Sequence, residues 1–347
     1  MTTFVASELD RRTVCTSLLS AVVYGCSGRE TNRRKTGSNV RLGLPRNPVF
    51  YLPAYLAQEL GYFRDEGLQV SIQDLPGGSK NIEAMLGGSA DVIGAVYEHT
   101  IGLAVERRPT KCFVLFLERP GLVLAVSPAA TKNIRSIRDL KGAIVGVATP
   151  GSQSHMFVNF LLYKNGLSAT DIRTVGIGLG PASVVAIERG KVDAATLSGS
   201  AIPMLQKRQP GLLVLANACT REGVKQIYGL ETYPTHGLLA TSEWLTHNPE
   251  TARKMARAVQ RGSRWVREHP AEEIREKMPS ALRMEDVEIE LEAIRMAIPM
   301  ISADGRIDAE SANAVRRVLE VSIEKVRKAN IDLSQTYTNE FLEPATA

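Results

Sequence analysis

The polar residues best suited to chemistry lie in short turns between a predicted strand and a predicted helix. The richest turn, residues 149–155 (TPGSQSH), holds two serines and a histidine after a buried strand. Free backbone amides at the beginning of a helix favour a carboxylate, a sulfonate or a similar oxyanion. Gly151, Ser152, Ser154 and His155 are therefore candidate ligand contacts. The alternative is that the serines only cap the helix.

Three turns in the first part of the chain carry similar groups: residues 45–51, residues 77–79 and the turn that begins at Tyr97. Residues 45–51 (PRNPVFY) offer a fixed cation at Arg46 beside two aromatic rings. The Gly-Gly-Ser turn before residue 80 begins a helix, so it either binds an anionic group through its amides or serves only as an N-cap. The candidate contacts from these turns are Arg46, Phe50, Tyr51, Gly78, Ser79 and Tyr97.

Two further candidates, Ser198 and His236, lie after a later strand and at a point where the chain returns to its first half. Glu118 and Arg119 lie where the chain first leaves that half, and a structural salt bridge there is as well supported as a ligand contact. The glycines at 176, 178 and 180 have G-x-G-x-G spacing and do not follow the first strand of a dinucleotide-binding unit. No nucleotide or other cofactor is predicted.

Sequence patterns for catalysis are absent. The chain contains no H-E-x-x-H, no C-x-x-C, no G-x-S-x-G and no Walker loop. Glu98 and His99 could act as an acid–base pair, but no nucleophile lies near them in sequence. We therefore predict no catalytic residue, no metal site and no enzymatic activity.

Strands and helices alternate through most of the chain, which predicts an α/β protein. Near-continuous apolar strands are expected at 40–44, 68–72, 91–96, 112–117, 122–126, 144–148, 172–177, 192–197, 212–215 and 237–241. This pattern is typical of parallel sheets covered on both faces. After residue 248 the pattern is wholly helical as far as about residue 328, and loosely ordered beyond it.

The strands fall into two sets joined by two extended crossings. We predict a first lobe of residues 38–120 with 238–330, a second lobe of 121–237 and a tail of 331–347. Open α/β sheets bind ligands at the carboxyl ends of their strands, and two facing lobes can enclose a ligand by hinge closure.

The first 37 residues differ from the rest of the chain. They hold six basic and three acidic residues, so they carry +3 of the net charge of +5 and leave the body near neutral. This argues against a nucleic-acid partner. An Arg11-Arg12 pair, an apolar run and a small residue near 25 predict a secretory signal over 1–25, of Sec or twin-arginine type. Cys26 follows a lipobox-like Val-Tyr-Gly and is a candidate lipidation site, and 26–37 is a flexible tether. The alternative is an amphipathic head on a cytosolic protein.

Four segments together resemble a known family. They are YLAQELGYFRDEGLQV, PGGSKNIEAMLGGSADV, IRSIRDLKGAIVGVATPGSQSHMFVNFLLYKNGL and ERGKVDAATLS, within residues 38–245. They resemble the solute-binding proteins of ABC importers for aliphatic sulfonates, taurine, nitrate and pyrimidine precursors. The resemblance implies a periplasmic-binding fold of type II, with two crossover strands. It also implies a small organic solute of anionic character, a sulfonate or a carboxylate, ABC permease subunits as partners, a monomer and a periplasmic location.

Some cytosolic enzymes of pyrimidine and menaquinone biosynthesis share this fold, so fold alone does not separate the two functions. The predicted export signal favours the binding protein, and the enzyme is the alternative. Cys112 and Cys219 lie in or beside apolar strands and are expected to be buried thiols, with a disulfide as the other reading.

Overall fold

The computed structural model describes residues 38–45, 48–75 and 79–344. The predicted export signal, the tether with Cys26 and the last three residues lie outside these ranges. The candidate contacts Arg46 and Gly78 also lie outside them.

Buried aliphatic runs form the strands of the described residues. In chain order these are β1 (Ser38–Pro45), β2 (Leu68–Leu75), β3 (Val92–Val96), β4 (Thr110–Leu115), β5 (Leu122–Val126), β6 (Ile144–Val147), β7 (Arg173–Gly176), β8 (Ala194–Ser198), β9 (Val214–Asn217) and β10 (His236–Thr241). Each overlaps a strand predicted from the sequence, and β5 matches its predicted bounds at both ends.

The strands form two five-stranded sheets. The first has the order β2-β1-β3-β10-β4 and the second β7-β6-β8-β5-β9. We call the part of the molecule built on each sheet the first and the second lobe. The residue boundaries of the lobes stay a prediction.

The prediction of wholly parallel sheets is wrong, because each sheet contains a strand that runs against its neighbours. β10 is antiparallel to β3 and β4, and β5 is antiparallel to β8 and β9. Both strands directly adjoin a crossing between the lobes, so each enters its sheet from the opposite end. The other pairs, β1 with β2 and β3 and β6 with β7 and β8, are parallel as expected.

Helices connect the strands and cover the sheets. They are α1 (Leu52–Glu59), α2 (Tyr62–Asp65), α3 (Ser79–Leu86), α4 (Glu98–Val105), α5 (Gln153–Lys164), α6 (Pro181–Glu188), α7 (Ala201–Arg208), α8 (Arg221–Tyr228), α9 (Ser242–His247), α10 (Pro249–Glu268), α11 (Ala271–Lys277), α12 (Val287–Ala297), α13 (Ala309–Ser322) and α14 (Glu324–Lys328). The longest, α10, packs closely on α1. The approach requires a glycine, because a Cβ at Gly262 would lie 2.2 Å from the carbonyl oxygen of Pro53. No helix in the described ranges is long and apolar enough to cross a bilayer.

The region from 248 to 328 is helical with several short interruptions, of which residues 301–308 are the longest. Ile301 forms a single antiparallel bridge with Leu117 of the outward crossing. The amide of Ser302 also donates to the carbonyl of Phe116 at 2.7 Å. The interruption therefore adds a short third segment beside the crossings.

Two short segments, 116–121 outward and 229–235 on the return, connect the lobes, so the predicted pair of crossings is present. They are hydrogen-bonded to one another, with Tyr233 N donating to Glu118 O at 2.7 Å and Thr235 N donating to Leu117 O at 3.1 Å. The lobes are therefore joined by a paired ribbon.

The expectation of a loosely ordered tail is wrong for residues 329–344, which pack against the first lobe. Backbone hydrogen bonds join Cys112 to Thr336 and Thr338 at 3.0 and 2.9 Å. The ring of Phe341 packs edge-on against Phe113. Aromatic residues anchor this segment, a signal that its polar composition obscures.

Candidate functional site

The carboxyl ends of the parallel strands of both sheets face the ribbon that joins the lobes. In the first lobe β4 leads directly into the outward crossing, and β1 to β4 point the same way. In the second lobe β5 begins just after that crossing and runs against β8, so the ends of β6 to β8 point back to it. The turns that the sequence singled out therefore border one cleft.

Aromatic rings form the first-lobe wall of this cleft. Phe50 and Tyr51, after β1, pack against the imidazole of His236 with ring centroids 4.7 and 5.4 Å away. The close approach depends on glycine, because a Cβ at Gly94 would lie 2.7 Å from the Tyr51 ring and one at Gly121 2.9 Å from that of Phe50. All three side chains are buried by the protein itself. The structure thus brings together three of the predicted contacts.

Hydroxyl groups and a histidine form the second-lobe wall, in the turn between β6 and α5. Ser152 Oγ and Ser154 Oγ are 2.9 Å apart, and Ser154 Oγ accepts from the amide of Ala148 at 2.9 Å. His155 Nδ1 accepts from the amide of Gly151, which has a left-handed backbone (φ 82°) suited to glycine. The four predicted contacts of this turn therefore form one hydrogen-bonded group.

The capping interpretation of Ser152 is wrong in its simple form. Ser152 occupies the N-cap position of α5, but its side chain makes no capping hydrogen bond. Its hydroxyl group is bonded to the neighbouring serine. In contrast, Thr220 before α8 accepts a hydrogen bond from the amide of Gly223 at 3.1 Å, as a capping residue does.

A hydrogen-bonded group that the sequence did not predict connects the two walls, and we call it the interlobe bridge: Glu98, Gln153, Tyr233 and Thr235. Gln153 Nε2, on the second lobe, donates to the carboxylate oxygens of Glu98 at 3.0 and 3.3 Å, on the first lobe. It also donates to Thr235 Oγ1 at 2.7 Å, on the return crossing. Tyr233 OH donates to Glu98 Oε1 at 3.3 Å. One amide group therefore holds both lobes and the ribbon together.

Burial shifts the titration of the groups around the bridge. Desolvation raises the pKa of Glu98 to about 7, although hydrogen bonds from Gln153, its own backbone and Tyr233 act in the opposite direction. Desolvation lowers the pKa of His99 to about 4. It lowers the pKa of His236 to about 3, with a smaller contribution from the charge of His99. Both imidazoles are neutral at pH 7.

The side chain of Tyr97 points away from this group, although its backbone amide donates to the carbonyl of Thr235 at 2.6 Å. Tyr97 is fully buried, its hydroxyl lies 2.6 Å from Thr336 Oγ1, and its ring packs against Tyr337. It therefore faces the C-terminal segment. Ser198 ends β8 opposite Leu122 and is buried there. The backbone of Ser79 begins α3, as predicted.

Sequence reasoning placed Gln153 in the serine turn, and Tyr233 and Thr235 at the return crossing where they could close over a ligand, but it missed their hydrogen bonds to Glu98 and to one another. Gln153 lies inside the predicted turn, but a glutamine between serines carries no distinguishing signal. Tyr233 and Thr235 flank a proline in the return crossing. The only signal there was the position of the crossing itself.

The cleft offers binding groups and no assembled catalytic group within the described ranges. Neither hydroxyl of the serine pair is hydrogen-bonded to a histidine or a carboxylate. Cys112 and Cys219 are buried free thiols, as predicted, and desolvation raises the pKa of both to about 12. Hydroxyl donors, neutral imidazoles and aromatic faces suit reversible recognition of a small organic molecule.

The match to known families agrees with this architecture. A family profile described as NMT1/THI5 like matches residues 49–273. The chain belongs to the NMT1/THI5-like family. A curated relative, 4-amino-5-hydroxymethyl-2-methylpyrimidine phosphate synthase of Aspergillus parasiticus, is 27% identical over 233 residues. That match covers 64% of this chain and 64% of the enzyme, which is less than two thirds of the enzyme's length.

Two solved structures share the fold of this NMT1/THI5-like chain. A protein of Bordetella bronchiseptica RB50 is 31% identical, with a TM-score of 0.78 over 88% of this chain and 96% of that one. The alkanesulfonate-binding protein SsuA of Xanthomonas axonopodis pv. citri, bound to MOPS, is 17% identical, with a TM-score of 0.65 over 87% and 98%. The predicted two-lobed periplasmic-binding-protein fold with a helical C-terminal region is confirmed.

Proposed function

We propose that this protein is the extracytoplasmic solute-binding component of an ABC importer. It captures a small organic anion, a sulfonate or a carboxylate, by closure of its two lobes, and performs no reaction on it. Its partners are the membrane permease subunits, and it works as a monomer.

The interlobe bridge is the observation that carries the proposal. A donor on the second lobe reaches a buried carboxyl group on the first across 3.0 Å, beside the ribbon on which the lobes would turn. Such a contact exists only when the lobes are closed, so it makes closure a defined state with its own hydrogen bonds. Hinge closure around a ligand uses this kind of two-lobed geometry.

The composition of the walls supports an organic anion as the ligand. The second-lobe turn offers the Ser152 hydroxyl at the amino end of α5, where the helix dipole favours negative charge. The first-lobe wall is built on the apolar rings of Phe50 and Tyr51, which are buried against His236. A molecule with an oxyanion at one end and an apolar body at the other would match both walls.

The predicted export signal supports a location outside the cytoplasm. Cleavage near residue 25 would leave Cys26 as the first residue, where a lipid would anchor the protein beside its permease. Cell fractionation of the native host tests this part. A processed chain in the periplasm or on the membrane is expected, and uncleaved chain recovered only in the cytosol would contradict it.

A thermal-shift screen of the purified body tests ligand capture. Aliphatic sulfonates and carboxylates are expected to raise the unfolding temperature in proportion to the logarithm of their concentration. A shift with neutral pyrimidines and none with any anion would refute the anionic class.

The pyrimidine phosphate synthase is the second candidate function, and the match to the Aspergillus enzyme favours it. Incubating the purified protein under conditions that support that enzyme and assaying the pyrimidine phosphate separates the two. Formation of product would overturn the binding-protein proposal.

A further inference from the structure

Arg119, on the outward crossing, is a buried cation that the surrounding protein does not satisfy. The residue is 6% exposed. Its Nε has no hydrogen-bond partner among the described residues. Buried polar groups in native proteins are almost always hydrogen-bonded, and a buried guanidinium with a vacant donor requires an explanation.

The neighbouring carboxylate does not supply that explanation. Glu118 Oε1 lies 3.5 Å from Arg119 Nη2, at the outer limit of a hydrogen bond and far from the paired geometry that arginine and carboxylates prefer. In the same protein, Arg257 meets Glu66 through Nε and Nη2 at 2.9 and 2.6 Å. The chain can therefore build a two-point arginine pair, and at residue 119 it has not done so.

The guanidinium lies near the beginning of α8. It is close enough to Arg221 and Glu222 for their charges to act on it. The first turn of α8 is held tightly to the end of β9, because a Cβ at Gly223 would lie 1.7 Å from the carbonyl oxygen of Asn217. Thr220 caps the amide of Gly223, while the amides of Arg221 and Glu222 make no hydrogen bond within the described ranges.

The charges around Arg119 leave room for an anion. Arg221 is paired with Glu231 at 2.8 Å. Glu222 is exposed to solvent. Desolvation raises the pKa of Glu118, while the charges of Arg119, Arg221 and Arg267 act in the opposite direction. The amide of Gly121 donates to the carbonyl of Ala218 at 3.2 Å, so the outward crossing that carries Arg119 lies directly beside the end of β9 at the ribbon.

We propose that Arg119 binds the acidic group of the transported solute, with Nε and the first free amides of α8 as its donors. The inference rests on the proposed function and makes it more specific. It assigns the oxyanion, a sulfonate or a carboxylate, to the ribbon side of the cleft. The serine turn then binds another polar part of the same molecule. A planar guanidinium suits these oxyanions because it can donate two parallel hydrogen bonds.

The variant Arg119→Gln tests the proposal by isothermal calorimetry with matched pairs of probes. The pairs are 1-butanesulfonate with 1-butanesulfonamide and pentanoate with pentanamide. The wild-type protein is expected to prefer the anion of at least one pair, and Arg119→Gln to reduce that preference by about tenfold or more. Arg208→Gln is the matched control, because this exposed arginine on α7 pairs with Glu188 away from the cleft.

Ligand-free stability provides a second readout that a purely structural arginine would move in the opposite direction. Removal of an unsatisfied buried cation is expected to leave the unfolding temperature of ligand-free Arg119→Gln unchanged or higher. A lower unfolding temperature with an unchanged preference for the anion would overturn the proposal. If Arg119→Gln does not fold, Arg119→Lys is measured instead. An unchanged preference for the anion in that variant would also overturn the proposal.

Failure of this inference is distinguishable from failure of the proposed function. Equal binding of the anion and its neutral partner by the wild-type protein, or binding of neutral compounds only, refutes the role of Arg119 and leaves a binding protein. Conversion of a bound compound to product refutes the function itself.

Discussion

Two buried charged groups lie where the lobes meet, and their surroundings differ. Glu98 accepts three hydrogen bonds, from Gln153 and Tyr233, and is part of a connected group. Arg119 has one long contact and a vacant Nε. Both are at least nine-tenths buried.

The difference distinguishes a structural contact between the lobes, the interlobe bridge, from a ligand-binding position. A buried polar group that is fully satisfied by the protein can stabilise one arrangement of the lobes, because its partners come from both of them. A group left unsatisfied costs free energy in the absence of ligand and recovers it when a ligand supplies the missing partner. We therefore interpret Glu98 as part of the closure mechanism and Arg119 as part of the recognition mechanism.

The largest expected effect concerns the pH dependence of stability. The pKa of Glu98 is raised from 4.5 to about 7, so the folded protein keeps a proton that the unfolded chain has lost. The contribution of Glu98 to stability therefore falls as the pH rises from about 4.5 to about 7. Above pH 7 the cost is about 3 kcal/mol, at about 1.4 kcal/mol for each pH unit of the shift.

Urea unfolding of Glu98→Gln and the wild-type protein between pH 4.5 and 8 measures this cost. The stability of the variant relative to the wild-type protein is expected to rise by about 3 kcal/mol over that range. His99 and His236 have lowered pKa values, so their contribution rises with pH, but it is the same in both proteins and cancels. Parallel curves would show that Glu98 is ionised in the folded protein at low pH.

The second effect concerns the donor of the bridge. Gln153→Ala removes the amide that serves Glu98 and Thr235 and is expected to cost about 1–2 kcal/mol, because it leaves a buried acceptor unpaired. It should also raise the pKa of Glu98 further. Gln58→Ala, at an exposed position of α1, is the control and should change the unfolding free energy by less than about 0.5 kcal/mol. Equal changes in the unfolding free energy of the two variants would show that Gln153 does not stabilise the interlobe bridge.

The sequence was sufficient for the fold because its signals are local and repeated. β5 has the bounds predicted from its apolar run, and every other strand overlaps its predicted range. What it did not predict is the direction of β5 and β10 within their sheets. Direction depends on which lobe the chain is leaving, and that is a property of the whole path.

The candidate site was predictable only as a set of turns. The serine turn and the ring of His236 were expected at the cleft, because strand ends can be counted along the chain. The bridge was not expected, because Glu98 and Gln153 are 55 residues apart and meet only through the closure of two lobes. Tyr97 looked the same as Tyr51 in sequence, yet its hydroxyl is bonded to Thr336 near the far end of the chain.

A smaller effect tests whether Arg119 really lacks a partner. Among the residues that the structure describes, Glu118→Gln removes the only carboxylate in hydrogen-bond range of Arg119. We expect a loss of less than about 1 kcal/mol in urea unfolding, because the 3.5 Å contact is weak. Affinity for the anionic probes should stay the same or increase, since a competing carboxylate is gone. A loss above about 2 kcal/mol would mean that Arg119 is held by a structural salt bridge. Arg119 would then be a structural group like Glu98, and its role in recognition would be refuted.

The smallest expected effect on stability is that of Ser152→Ala. A small effect would show that the Ser152 hydroxyl does not cap α5. The Ser152 hydroxyl makes no capping hydrogen bond, so its loss should change the unfolding free energy by less than about 0.5 kcal/mol. Thr241→Ala is the matched control, because Thr241 accepts from the amide of Trp244 at 3.1 Å and should cost about 1 kcal/mol. Binding should rank the two variants in the opposite order, with Ser152→Ala weakened and Thr241→Ala unchanged. If Ser152→Ala destabilises the protein as much as Thr241→Ala and binds the anionic probes normally, the Ser152 hydroxyl stabilises α5 and does not bind the ligand.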